Sequence, residues 1–147
     1  MNGSHSGSGD FRCLVVRLHR GDDLMESIRN LCIEQDVGAG VILSAVGCIS
    51  RGRIRDASGV NIQQIEGHYE IVSLMGTVGK NRCHLHISLS RDNLNTIGGH
   101  LCTGCIVNTT CEVVIGELPG LCFDKEPDPE TGYNELHIEE KVGNADK

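Results

Sequence analysis

Eight residues, Cys83-His84-Leu85-His86-Ile87-Ser88-Leu89-Ser90, alternate between polar and apolar with period two, a pattern that suits a strand and not a helix. Read as a strand, the run puts His84, His86, Ser88 and Ser90 on one face and Leu85, Ile87 and Leu89 on the other. Alternate strand residues stand roughly 7 Å apart along the backbone, so two imidazoles leaving one face can close on one metal ion. Farther on comes Gly98-Gly99-His100-Leu101. Glycine has no Cβ, so this chain can turn sharply or pass close to a neighbour. Three neutral imidazoles with no fourth protein ligand leave a coordination position open, as catalytic zinc sites do. Alone, an HxH pair is often no more than the polar face of a half-exposed sheet; His100 behind two glycines tips the reading toward a metal site.

The rest of the chain is read around that strand. Residues 11–18 alternate as a first strand, and Gly21-Asp22-Asp23 caps a helix. Leu24, Ile28, Leu31 and Cys32 recur at helical spacing, with an end near Asp36 and Gly38 beyond it. This is the one strong helical pattern. Residues 41–55 read as a strand hairpin or one long bent strand, with Arg51, Arg53 and Arg55 on a shared face. That face is either an anion-binding ladder or, more commonly, an edge strand defended by charge. Arg51-Gly52-Arg53 lacks the proline and the flanking basic cluster of a minor-groove AT-hook, so the hook is rejected.

Residues 61–65 form a short strand, Gly67 punctuates, and residues 69–78 make another that pairs with the histidine strand across Gly79-Lys80-Asn81. His68 and Glu70 share a face; Glu70 is a candidate fourth ligand, ligand orienter or general base, or else a solvent-facing acid. Residues 105–118 are a long strand in which Glu112 interrupts an apolar run and calls for a partner such as a metal-bound histidine. Cys102-Thr103-Gly104-Cys105 has no second ligand pair for zinc unless Cys83 or Cys111 joins, and no following helix for redox chemistry, so its thiols read as structural. His137, among acids in a last strand over residues 135–139, reads as exposed. Gly/Ser-rich residues 1–10, including His5, and residues 141–147 are expected to be disordered or frayed tails around a domain of residues 11–140.

A length of 147 residues fits one domain that buries roughly 70% of its unfolded surface. Eight cysteines sit mostly inside apolar patterns, which points to reduced, packed thiols and an intracellular, cytoplasmic-type compartment. No apolar run is long enough for a membrane span. Twenty acids against thirteen bases, a net charge of −7, weigh against general DNA binding, whose affinity comes from Lys and Arg.

The ordered set Gly67-His68-Tyr69-Glu70-Ile71-Val72-Ser73-Leu74, His84-Leu85-His86-Ile87-Ser88-Leu89, Gly98-Gly99-His100-Leu101 and Cys111-Glu112-Val113-Val114-Ile115-Gly116-Glu117-Leu118 resembles the plants-and-prokaryotes conserved (PPC) domain. Thr131-Gly132-Tyr133-Asn134-Glu135-Leu136 resembles the C-terminal strand entry of its single-domain prokaryotic members. The resemblance implies an α/β (α+β) fold: a mainly antiparallel, curved sheet with one main helix, akin to acetolactate decarboxylase, assembled as a homotrimer. It implies zinc, or another divalent transition metal, on His84, His86 and His100. Plant members follow an AT-hook, absent here, so their DNA role does not carry over; the DNA-binding label of prokaryotic members rests on fold alone. Three functions are weighed: a DNA-binding-associated role, as the family is often labelled, is set back by the charge balance, and two others stand ahead of it. One is a zinc-dependent hydrolase or lyase acting on a small carbonyl compound, with Glu70 or Glu112 moving the proton and the arginines holding an anionic group. The other is a trimeric binding or scaffold module with a structural or sensory metal.

Overall fold

Long β-branched and aliphatic runs pair throughout in antiparallel register. The computed structural model describes residues 11–141; the expected tails at 1–10, with His5, and at 142–147 lie outside them. The elements are β1 (Arg12–His19), α1 (Leu24–Glu34), β2 (Gly40–Arg55), β3 (Ile62–Val78), β4 (Cys83–Ser90), β5 (Thr96–Leu101), β6 (Ile106–Glu117), β7 (Leu121–Pro127) and β8 (Asn134–Glu140). Six strands form one sheet in the order β1-β6-β2-β3-β4-β5, and β5 also pairs with the end of β2. The sheet therefore curls back on itself, the curvature the family resemblance implies. β7 and β8 pair separately as a two-stranded sheet.

Helix α1 packs against the apolar face of the sheet. Leu24, Met25, Ile28 and Cys32 are buried in one core with Leu85, Ile87 and Leu89 of β4, so the alternation of β4 is realised as a buried and an open side. Asp23 is the N-cap: its carboxylate accepts from the backbone N–H of Glu26 at 3.0 Å and from that of Gly104 at 2.6 Å. One carboxylate thus ties the helix start to the Cys102–Cys105 loop. At the other end Asp36, with φ 51, takes the left-handed position instead of Gly38, and Val37 N–H reaches back to Cys32 O at 2.8 Å.

Of the two readings open for residues 41–55, the structure takes the long bent strand; register shifts after Ile42, Gly47 and Ile49 supply the bend. One expectation needs correction: Gly67 does not divide two strands. It lies inside β3 at φ 134, and the ladder to β2 runs on at both sides of it, so the glycine kinks a continuous strand.

Four of the thiols, Cys32, Cys83, Cys105 and Cys111, are packing groups. Burial pushes Cys32 up to about 12 and Cys83, Cys105 and Cys111 up to about 11, so at pH 8 little of each is thiolate. Iodoacetamide labelling of folded protein at pH 8, followed by peptide mass spectrometry, is expected to modify exposed Cys13 rapidly. Those four should label more than about 10-fold more slowly, becoming fast in denaturant. Among the described residues no helix is long and apolar enough to cross a membrane.

Candidate metal centre

β4 delivers His84 and His86 to its open face, and β5 brings the third imidazole by strand pairing: His86 and His100 are direct cross-strand partners. Gly98 and Gly99 make this pairing possible by close approach within β5, not by a turn. A Cβ at Gly98 would stand 2.6 Å from Ile87 O, and one at Gly99 2.5 Å from Arg55 O. The ring centroids of His84, His86 and His100 are 5.1–5.6 Å apart. One ligand nitrogen from each lies within 4.8 Å of the others. Zinc–nitrogen bonds of about 2.0–2.1 Å put tetrahedral ligands about 3.4 Å apart, a gap that small ring rotations close.

Nδ1 of His100 is buried with no hydrogen-bond partner. Such an orphaned nitrogen is costly unless something binds it, and a metal ion would. Burial, then the Arg55 guanidinium, pushes His100 down to about 4; burial, then Arg82, lowers His84. Both rings are neutral at pH 7, the form that ligates. The residues present fit a divalent metal.

The trio opens into a cavity of about 720 Å³. One wall comes from the sheet with Arg55 and from the β3–β4 connection with Arg82, another from the β2–β3 turn with Asp56 and Ser58. The β7–β8 hairpin adds Lys125, Tyr133 and Glu135. Arg82 is 7% exposed; its Nη2 donates to His84 Nδ1 at 3.1 Å and its Nη1 to Asn134 O at 3.5 Å. Sequence reasoning passed over Arg82, although the same period two that links His84 to His86 places it on their face. Lys125, Tyr133 and Glu135 carried no comparable signal, because the hairpin's return over the sheet is a long-range event.

The two acids proposed for proton transfer are elsewhere. In the β3–β4 register His84 faces Thr77 and His86 faces Met75, whereas Glu70 sits at the far end opposite Ser90, exposed. Glu112 is exposed on β6, between Arg17 of β1 and Val46 of β2. The buried acid of that strand is Glu117, which accepts from Arg12 Nε at 2.6 Å. The three arginines also part. Arg55, cross-strand partner of His100, lines the histidine cavity. Arg51 and Arg53 line a separate small hollow, where Arg53 Nη1 donates to Thr103 O at 3.2 Å. His68 lies 3.0 Å from the amide of Asn108, and His137 lies 3.0 Å from Glu126.

Comparison with known proteins fits this architecture. A Synechococcus bifunctional protein GlmU is 36% identical over 135 residues, 92% of this chain but 21% of its own length. The chain thus spans about a fifth of such curated relatives. A hypothetical protein from Salmonella superposes with a TM-score of 0.91 at 32% identity, covering 94% of this chain and 100% of its own. A protein from Archaeoglobus fulgidus described as metal-containing superposes with a TM-score of 0.73 at 28% identity, covering 90% and 99%. The Plants and Prokaryotes Conserved (PCC) domain matches residues 5–119, which span β1 to the end of β6, and the chain belongs to that family.

Proposed function

We propose that His84, His86 and His100 hold a divalent transition metal, zinc first among them, and that the cavity above it serves hydrolysis or a lyase step on a small carbonyl compound. The observation that carries this reading is three imidazoles with ligand atoms within 4.8 Å of one another, one of them otherwise orphaned. The metal-containing Archaeoglobus relative supports it. When bound, such an ion polarises a carbonyl or lowers the pKa of water. The chain's own residues then orient and protect. Arg55 holds an anionic substituent, Glu135 offers a carboxylate on the cavity lining for a proton, and Tyr133, on the same lining, restricts solvent.

Because Glu70 and Glu112 stand outside the cavity, a binding module with a sensory metal is the second reading. In either case the exposed apolar side chains Val15, Val46, Val72 and Met75 on β1 to β3 support assembly as a homotrimer. Eight free cysteines support a reducing, intracellular compartment, and the net charge of −7 supports a partner other than DNA. Elemental analysis of protein purified without chelators is expected to find about one zinc-class ion per chain. Finding no metal in such protein would overturn the assignment.

A further inference from the structure

Arg82 is the most constrained cation among the described residues. It is 7% exposed, lines the histidine cavity, leaves its Nε buried without a partner, and forms no ion pair among those residues. Arg55 lines the same cavity, also forms no ion pair among the described residues, and likewise has a buried, unpartnered Nε. Removing a guanidinium from water without an anion is expensive, so two of them around one cavity are an unfilled demand for negative charge. The lining as a whole, Arg55, Arg82 and Lys125 against Asp56 and Glu135, leans positive even before any metal is counted.

Arg82 has a second constraint. A guanidinium only donates, so its 3.1 Å bond to His84 requires Nδ1 of that ring to accept, and the neutral ring then carries its proton on Nε2. A metal taking Nδ1 competes with Arg82 for the same lone pair. A metal taking Nε2 moves the ring proton to Nδ1, where it faces the arginine's own N–H groups. Either way, loading the trio costs Arg82 its bond to His84.

We propose that Arg82 and Arg55 form an oxyanion clamp beside the metal centre, and that metal binding frees Arg82 to take the carboxylate or phosphate group of a small-molecule ligand. This rests on the metal reading above. Metal and oxyanion then bind with positive, reciprocal coupling. The forked guanidinium geometry suits either oxyanion, and a second oxygen of the ligand can reach the metal's open position.

The test uses full-length protein in metal-free and zinc-loaded form, titrated by calorimetry with lactate, glycerol phosphate and the uncharged lactamide. Expected is lactate or glycerol phosphate binding at least about 10-fold tighter to zinc-loaded than to metal-free protein, with the better of the two naming the oxyanion, and lactamide binding far more weakly. Arg82→Gln and, as the less buried alternative, Arg55→Gln should each weaken the anion about 10-fold while retaining one zinc per chain. Unchanged anion affinity in both variants, zinc retained, overturns the clamp alone. Wild-type protein that takes up no zinc overturns the metal reading beneath it.

Discussion

Alanine at both His84 and His86 is expected to lower zinc affinity by more than about 100-fold, beyond the loss seen when only a ligand's supporting partner is removed. Two of three ligands disappear, and His100 alone offers no chelate. The fold should survive, because neither ring belongs to the core: His86 is exposed, His84 half-buried, and the buried side of β4 is Leu85, Ile87 and Leu89. Truncating His84 also deprives Arg82 of its acceptor on that ring, a part-buried hydrogen bond at the cavity wall. Thermal unfolding in chelator compares like with like, since bound metal stabilises any protein it favours in the folded state. Metal-free double variant and metal-free wild type should then unfold within a few degrees of each other, about 1 kcal/mol or less. Stoichiometric zinc in the double variant would move the metal off this trio.

What the sequence reveals and what it hides divide along one physical line. Local periodicity is visible: the two faces of β4, the helix with Asp23 at its cap, and the glycines ahead of His100 all follow from near-neighbour rules. Register is not. Glu70 shares a strand face with His68 in any reading, yet whether that face meets His84 depends on how β3 slides against β4, and the ladder sets Glu70 against Ser90. Arg51, Arg53 and Arg55 alternate faultlessly but extend over roughly 13 Å of strand, so only the last reaches the cavity. Gly67 looks like an ending because glycine is punctuation more often than a kink. The hairpin's contribution, Lys125, Tyr133 and Glu135, depends on chain reversal far from the histidines and has no local trace. Arg82 lies within reach of the parity rule, which histidine spacing alone does not invoke for an arginine just ahead of the strand.

Gly76→Ala is expected to be the most destabilising small substitution near the site, by about 3 kcal/mol or more, because it combines overpacking with backbone strain. Gly76 lies in β3 opposite Leu85, with φ 144, a conformation that side-chain-bearing residues rarely adopt. A Cβ there would overlap the carbonyl oxygen of His84 and press on Leu85 Cα at 3.0 Å. Neither obstacle is a flexible side chain, so the β3–β4 ladder itself has to move. Gly132→Ala is the matched control: its φ is 75, also glycine-favoured, but a Cβ meets nothing within 4 Å, leaving only a conformational cost of about 1–2 kcal/mol. Urea unfolding of the two variants separates steric from conformational cost; equal losses would show that the approach of β3 to His84 carries no energy of its own. The substitution also reports on the centre. His84 hangs from the peptide that must shift, so Gly76→Ala should weaken zinc binding without altering any ligand, whereas Gly132→Ala should leave it intact. A variant that lost stability yet kept wild-type zinc affinity would mean that the trio tolerates movement of β4, and that its geometry is held from the β5 side, through His100 and its two glycines.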